Sequence, residues 1–163
     1  MNDIKEALLG EMAAYFGADA RRTRHARKVT EYAEEIWRRE GGDYRIIIGA
    51  AVLHDIGIHQ AETKYRSTAG RYQEIEGPPI ARPILARLGF TPEEITEICD
   101  IIAHHHRPGA ITSHNFGVLY DADWLVNLKD ECDVRDTVKL ERIIERVFLT
   151  ESGKSLARAK YLP

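Results

Sequence analysis

Apolar residues recur along most of this chain at intervals of three and four positions, the spacing that places side chains on one face of an α-helix. Ile4, Leu8, Met12 and Tyr15 follow this spacing, so the pattern predicts a first helix over residues 3–16. No stretch alternates between apolar and polar residues for long enough to indicate a β-sheet. The pattern therefore predicts an all-α protein, built as a compact bundle of several helices.

The next two helices differ in how much of their surface is apolar. A helix predicted over residues 19–40 has a single apolar stripe and ends at Gly41 and Gly42, as helices often do at glycine. The third helix is predicted from an N-cap at Asp43 to about Gly57. It is apolar on nearly every side, which is typical of a central, buried helix.

Residues 58–77 lack a helical spacing of apolar positions and hold several cationic, hydroxyl and glycine residues. We therefore predict a long loop over this segment. Loops of this length within a compact domain are usually functional or disordered. Because this one directly follows the most apolar helix, we expect it to cover a site beside that helix and to contribute to substrate selectivity.

Turn and cap signals divide the second half of the chain into five further helices. Thr91 followed by Pro92 and Glu94 is a strong helix start, in which Thr91 is the N-cap and Glu94 completes a capping box. The predicted helices lie around residues 80–88, from 91 to about 107, from about 114 to 129, from near Asp133 to 148, and from about 152 to 162.

Length and composition fit one domain over residues 1–163, since 44% of the residues are hydrophobic and no Pro-rich or Ser-rich linker divides the chain. The 23 basic and 26 acidic residues leave a formal charge of −3, which argues against a general nucleic-acid surface and a polybasic membrane anchor. Phosphate binding would therefore have to be local. Homo-oligomerisation stays open, because no apolar stripe stands apart from the inferred core.

No run approaches the roughly 20 apolar residues of a membrane-spanning helix, and the first residues lack the apolar core of a signal peptide. We therefore expect a cytoplasmic protein without a membrane partner. Cys99 and Cys132 lie far apart and belong to no paired motif, so they indicate neither a disulfide framework nor a zinc ribbon.

His54 and Asp55 place two metal-capable side chains at the end of an apolar run that extends over residues 46–57. Burial of an ionised carboxylate beside an imidazole costs several kcal/mol unless these groups are paired with a charged partner or bind a metal. The sequence therefore predicts a partner for this pair inside the fold.

His25 begins the apolar stripe of the second helix and is predicted to point inward, whereas Arg24 and Lys28 point outward. A core histidine that is hydrogen-bonded to a backbone carbonyl would show the same pattern. His25 taken alone therefore leaves its role open.

Three consecutive histidines end the helix that starts after Thr91. His105 and His106 fall on its inward stripe, and His104 does not. Imidazoles at a helix C-terminus would also complement the helix dipole, so which of the three histidines is functional stays open.

The helix predicted from residue 114 carries two carboxylates with different directions. Asp123 lies on its core-facing side with Asn127 one turn beyond, whereas Asp121 points away from that side. Several regions therefore send His or Asp toward one core. Mixed imidazole and carboxylate groups suit a divalent transition metal better than calcium. The candidate metal ligands are His25, His54, Asp55 and Asp123.

Three segments resemble, in order, the signature regions of the HD-domain metal-dependent phosphohydrolase superfamily. They are Thr-Arg-His-Ala-Arg-Lys-Val around His25, Ala-Ala-Val-Leu-His-Asp-Ile-Gly around His54 and Asp55, and Tyr-Asp-Ala-Asp-Trp-Leu around Asp123. The resemblance covers nearly the whole chain and implies an HD-domain bundle with the metal site in its core. It also implies an Mn, Fe, Co, Ni or Zn ion, with Mg as an alternative, and a supporting role for Asn127 toward substrate or water.

Two departures from the superfamily pattern affect the predicted site. Gln73 stands where binuclear relatives have a further His ligand, so a second ion is left open, with Glu74, His105 and His106 as its candidate ligands. Ile58 stands where many relatives have Lys. Other cations would then bind phosphate, and the candidates are Lys64, Arg66, Arg71 and Arg107.

The resemblance implies a metal-dependent hydrolase that breaks a phosphomonoester, phosphodiester or phosphoanhydride bond in a nucleotide or another small phosphorylated metabolite. A metal-bound water would be the nucleophile. Asp55 would orient it, His105 or His106 would bind a second ion or protonate the leaving group, and Lys64 or Arg71 would neutralise phosphate. Two alternatives stay open: a regulatory domain that binds a metal and a nucleotide, and a di-iron oxygenase.

Overall fold

Helices make up most of this protein. A computed structural model describes residues 2–162, so Met1 and Pro163 of the predicted 1–163 domain lie outside the described residues. The all-α prediction is confirmed, since the described residues form nine α-helices and no β-strand. The helices are α1 (Asn2–Phe16), α2 (Ala20–Glu40), α3 (Tyr44–Leu53), α4 (Ile58–Tyr65), α5 (Gly70–Arg87), α6 (Pro92–His104), α7 (His114–Glu131), α8 (Thr137–Val147) and α9 (Glu151–Tyr161). None of the described helices combines the length and apolar character that crossing a membrane requires.

Side-chain caps fix where α2, α3 and α6 begin. Asp19 caps α2, and Asp43 caps α3 by accepting a hydrogen bond from the backbone N–H of Ile46. The predicted capping box of α6 is confirmed, because Thr91 and Glu94 exchange side-chain and backbone hydrogen bonds. These caps satisfy backbone N–H groups that a helix start leaves without an internal partner.

The α3 helix lies at the centre of the bundle. Its residues from Ile46 to Leu53 are all buried, and it packs against α1, α2, α6 and α7. This helix is shorter than predicted, because the chain from His54 to Gly57 forms a turn. In that turn the N–H of Ile56 and the N–H of Ile58 each donate to the carbonyl three residues earlier. The tighter hydrogen bonding ends α3 and turns His54 and Asp55 toward the neighbouring helices.

The long loop predicted over residues 58–77 is wrong. The segment forms α4 and the first part of α5, which are separated only by residues 66–69. Arg66 adopts the left-handed conformation, with φ of 55°, and ends α4. The buried positions in the first part of α5 include Gln73, Glu74 and Glu76, so this part of the helix has no apolar stripe that periodicity could detect.

The backbone of α5 touches the turn after α3. A Cβ atom on Gly57 would lie 2.5 Å from the backbone nitrogen of Gly77 and 2.7 Å from the carbonyl oxygen of Gln73. Only glycine allows two backbones to approach this closely. The contact holds α5 directly beside the turn that carries His54 and Asp55.

The two C-terminal helices are attached to α7 through the fully buried side chain of Asp121. Its carboxylate accepts hydrogen bonds from the N–H of Leu149 at 2.8 Å, the N–H of Thr150 at 2.7 Å and the hydroxyl of Thr150 at 2.6 Å. These residues link α8 to α9. The carboxylate also lies against Gly153, where a Cβ atom would overlap it.

The start of α8 differs from the prediction. The helix begins at Thr137 with Asp136 as its N-cap, four residues after the predicted start near Asp133. The segment between α7 and α8 forms a turn instead, in which the N–H of Asp136 donates to the carbonyl of Asp133.

Candidate metal centre

Three elements bring the four predicted ligands together. His25 comes from α2, His54 and Asp55 come from the turn after α3, and Asp123 comes from α7. The Nε2 atom of His25 lies 3.2 Å from Oδ1 of Asp123 and 3.3 Å from Oδ2 of Asp55. The Nε2 atom of His54 lies 3.3 Å from each of those two oxygens and 3.3 Å from Nε2 of His25.

The separation of each imidazole nitrogen from the other three atoms fits a metal ion. An ion with ligand distances of about 2.1 Å separates neighbouring ligand atoms by about 3.0 Å in octahedral geometry and about 3.4 Å in tetrahedral geometry. The observed separations of 3.2 to 3.3 Å lie between these values. Two imidazoles and two carboxylates are also a donor set that divalent transition metals bind.

Neighbouring groups orient the ligands toward one another. His54 is fully buried, and its Nδ1–H donates to the carbonyl of Ala51 at 2.8 Å, which leaves the Nε2 lone pair facing the carboxylates. The side-chain amide of Asn127 donates to Oδ1 of Asp123 at 2.9 Å. The predicted supporting position of Asn127, one turn from Asp123, therefore places it in contact with a candidate ligand.

The charges of this cluster are strongly coupled. Burial alone would lower the pKa of His54, but the carboxylates of Asp55 and Asp123 hold it well above its usual value. Burial alone would raise the pKa of Asp55, but His54, His105 and His25 hold it well below its usual value. Two buried carboxylates thus require positive charge beside them, which protonated imidazoles or a divalent cation would supply.

A second group of potential ligands adjoins the first. Asp55, His105 and His106 offer ligand atoms that all lie within 4.8 Å of one another, and Oδ1 of Asp55 is 3.4 Å from Nε2 of His105. The Nδ1–H of His105 donates to the carbonyl of Ile102 at 2.7 Å, while its Nε2 atom is buried without a hydrogen-bond partner. His104 instead bonds the carbonyl of Asp100 through Nδ1.

The structure does not bring the other predicted site residues into this cluster. The carboxylate of Glu74 accepts from Nε of Arg107 at 3.2 Å and from the N–H of His106 at 3.3 Å, so both of its oxygens are engaged. Lys64 pairs with Glu76 at 3.0 Å, and Arg71 lies over the ring of Tyr72. Among the described residues that line the central cavity, Lys64, Arg66, Arg71 and Arg107 do not occur.

Different cations surround the cavity that opens from the metal-ligand cluster. The cavity has a volume of about 510 Å³ and reaches His25, Asp55 and Asp123 at its base. The cations that line it are Arg21, Arg22, Arg24, Lys28 and Lys129. Arg24 and Lys28 therefore border the site, contrary to the outward direction predicted for them. Their position on α2, one turn or less from His25, was the feature of the sequence that could have indicated this.

A smaller lobe of about 150 Å³ adjoins the main cavity. The two share His106, Asp123, Asn127 and Glu131. The lobe also contains His105 and the aromatic side chains of Tyr120 and Trp124. The main cavity therefore holds the cations, together with the acidic Asp130 and Glu131, and the lobe holds the aromatic side chains.

The family model for the HD domain matches residues 22–144, which is most of the chain. The chain belongs to the HD domain family. This HD domain is similar to the crystal structure of a predicted HD superfamily hydrolase from an uncultured Thermotogales bacterium, with a TM-score of 0.69 and 27% sequence identity over 95% of this chain and 83% of that chain. No curated protein matches it in sequence.

Family and fold support a hydrolase function of the metal-dependent phosphohydrolase type in general. HD domains generally bind divalent metals, which agrees with the cluster of His and Asp side chains in this HD domain. The predicted family and the all-α HD bundle are confirmed.

Proposed function

We propose that this HD domain is a metal-dependent phosphohydrolase that acts on a nucleotide or another small phosphorylated metabolite through a metal-activated water. The observation that carries the proposal is the placement of the imidazole nitrogens of His25 and His54. They lie 3.2 to 3.3 Å from each other and from one oxygen each of Asp55 and Asp123, distances that fit ligands of one divalent ion. A bound ion supplies a water of lowered pKa and stabilises charge on the phosphoryl oxygens.

Other side chains in and around the cluster are placed to orient the nucleophile, to contact the leaving group and to position a ligand. Asp55 faces His25 and His54 with one oxygen and His105 with the other, so it is placed to orient a nucleophile between the two ligand groups. His106 lines both lobes of the cavity, where it can contact the leaving group. Asn127 holds Asp123 in position through its hydrogen bond.

The walls of the cavity support a phosphorylated substrate. Arg21 and Lys28 lie four residues before and three residues after His25, so α2 presents cations on both sides of a metal ligand. Guanidinium and ammonium groups bind phosphate oxygens. The adjoining lobe with Tyr120 and Trp124 suits the base or sugar of a nucleotide, because aromatic side chains stack on such rings.

Metal content and phosphate release test the proposal together. We expect the wild-type protein to bind Mn²⁺ or another divalent transition metal and to release phosphate from at least one member of a broad library of phosphorylated compounds. The Asp55→Ala variant should lose both properties. Asp100→Ala removes an exposed carboxylate on α6 and serves as the matched control.

Three outcomes would contradict the proposal. A protein that cannot be loaded with Mn²⁺, Fe²⁺, Co²⁺ or Ni²⁺ has no metal centre. A metal-loaded protein that binds a nucleotide tightly but turns over no phosphorylated compound is a regulatory domain. Oxygen consumption by the iron-loaded protein, without phosphate release, would identify an oxygenase.

A pair of variants distinguishes the cations of the cavity from those expected from the sequence. Arg21→Ala should raise KM about 10-fold, since a charge-assisted hydrogen bond contributes about 1.5 kcal/mol or more. Lys64→Ala should leave KM unchanged, because Lys64 pairs with Glu76 outside the cavity lining. The opposite result would mean that phosphate is bound from α4.

A further inference from the structure

The side chain of Gln73 is buried in a position that leaves one of its atoms without a partner. Only 8% of the residue is exposed. Its Nε2 group donates to the carbonyl of Thr68 at 2.6 Å, which fixes the orientation of the amide. The opposite atom, Oε1, is buried and has no hydrogen-bond partner among the described residues.

A buried oxygen of this kind requires an explanation. An unsatisfied buried acceptor destabilises the folded state, and such groups in native proteins normally have a partner, which can be an ion. Only one other buried side-chain atom of the described residues shares this condition, and it is Nε2 of His105. His105 is 2% exposed and belongs to the second ligand group with Asp55 and His106.

Both unpartnered atoms belong to residues around the same site. Gln73 lines the main cavity together with Asp55 and His106, and His105 lines the adjoining lobe. The position of Gln73 is also rigid, because its backbone carbonyl lies against Gly57 in the turn that carries Asp55. The packing of α5 thus holds Gln73 in the wall of the cavity that Asp55 and His106 also line.

We propose that Oε1 of Gln73 is an oxygen ligand for a second divalent ion, which Asp55, His105 and His106 also hold. This inference rests on the proposed metal centre and adds a second position to it. Glu74 does not supply this oxygen, because Arg107 and the N–H of His106 engage both of its carboxylate oxygens.

An amide oxygen gives the second position a distinct selectivity. Oxygen ligands suit Mn²⁺ and Mg²⁺, whereas imidazole suits Zn²⁺, Fe²⁺ and Ni²⁺. The first position has two imidazoles and two carboxylates, and the second has two imidazoles, one shared carboxylate and a neutral oxygen. We therefore infer that Gln73 determines which metal the second position prefers and makes it the weaker of the two.

Mn²⁺ titration of the apo-protein, followed by elemental analysis and electron paramagnetic resonance, tests this assignment. The wild type should bind two Mn²⁺ ions per chain. Gln73→Leu should keep the tighter ion and lower the affinity for the weaker ion at least about 10-fold. Gln73→His should restore two ions and shift the preference of the weaker position from Mn²⁺ toward Ni²⁺. Gln60→Leu, at an exposed position of α4, is the matched control.

The outcomes separate this inference from the proposed function. A wild type that binds one ion, with the same affinity in Gln73→Leu, overturns the role of Gln73 and leaves the first metal position intact. Two ions whose affinities do not change in Gln73→Leu or Gln73→His also overturn it. A wild type that binds no ion at all contradicts the proposed function itself. Thermal unfolding of each variant identifies a loss of metal that results from misfolding.

Discussion

Two carboxylates stand two residues apart on α7, and both are buried, yet they differ in what surrounds them. Asp121 is 0% exposed and accepts three hydrogen bonds from Leu149 and Thr150. Asp123 is 8% exposed, faces the imidazoles of His25 and His54, and receives one hydrogen bond from Asn127. The first carboxylate is satisfied by N–H and O–H groups of the chain, whereas the second lies among side chains that are themselves candidate metal ligands.

The pKa values of the two groups move in opposite directions. Burial raises the pKa of Asp121 to about 6 in spite of its three hydrogen bonds. Burial would also raise the pKa of Asp123, but the charge of His54 and the hydrogen bonds from both imidazoles hold it below its usual value. Burial alone therefore does not distinguish a structural acid from a metal ligand, and the nature of the neighbouring groups does.

The largest effect is expected from Asp123→Ala. Removal of one ligand oxygen should reduce metal affinity and phosphate release by more than about 100-fold, because even the residues that support a metal ligand contribute 10- to 100-fold. Elemental analysis and a phosphate-release assay measure both quantities, and circular dichroism verifies the helical fold. Retention of metal and activity would show that Asp123 is not a ligand.

Asp121→Ala should affect stability instead of metal binding. The variant leaves the buried N–H groups of Leu149 and Thr150 without an acceptor, so the free energy of unfolding should fall by about 2–4 kcal/mol. Urea denaturation measures this loss. The metal content of the folded fraction should equal that of the wild type, and a selective loss of metal would remove the distinction between the two carboxylates.

Gly153→Ala tests the same contact of Asp121, but from the side of α9. The added Cβ atom would overlap the carboxylate of Asp121, and overpacking of this kind typically costs about 1–3 kcal/mol. Thermal unfolding should show a lower Tm with unchanged metal stoichiometry. Gly10→Ala is the control, since no atom outside the local helix lies within 4 Å of its added Cβ, and it should be neutral or slightly stabilising.

The smallest effect is expected from Asn127→Ala. The variant removes the hydrogen bond to Asp123 but leaves the four ligands in place, so metal affinity should fall about 10-fold. Calorimetric titration of the metal-free protein measures this change. An unchanged metal affinity would mean that Asp123 needs no support from its own helix, whereas Asp121 depends on partners from the α8–α9 link.

The helical period of the sequence predicted the directions of two candidate ligands. It placed His25 and Asp123 on inward faces, and the structure brings both beside His54 and Asp55. The resemblance of three segments to the HD signature regions implied that these residues bind a metal. The partners of Asp121 were not predictable from this pattern, because Leu149 and Thr150 are 28 and 29 residues later in the chain.

Two features of the site could not be predicted from periodicity. The α5 helix buries polar residues such as Gln73 and Glu74, whose hydrogen-bond partners, Thr68 and Arg107, lie in the segments between helices. The cations of the cavity, such as Arg21 and Lys28, have the composition of an ordinary solvated helix face. A charged residue at the rim of a cavity has the same sequence signal as one on an open surface.

The contact between Gly57 and the backbone of α5 also has a consequence for how molecules enter and leave. The turn that carries Asp55 packs backbone to backbone against α5, so we expect this wall of the site to move less than the opposite one. The opposite wall consists of long, exposed side chains at the start of α2 and the end of α7, which exchange rotamers on the nanosecond timescale. Substrate should therefore arrive, and product depart, between these two helix ends.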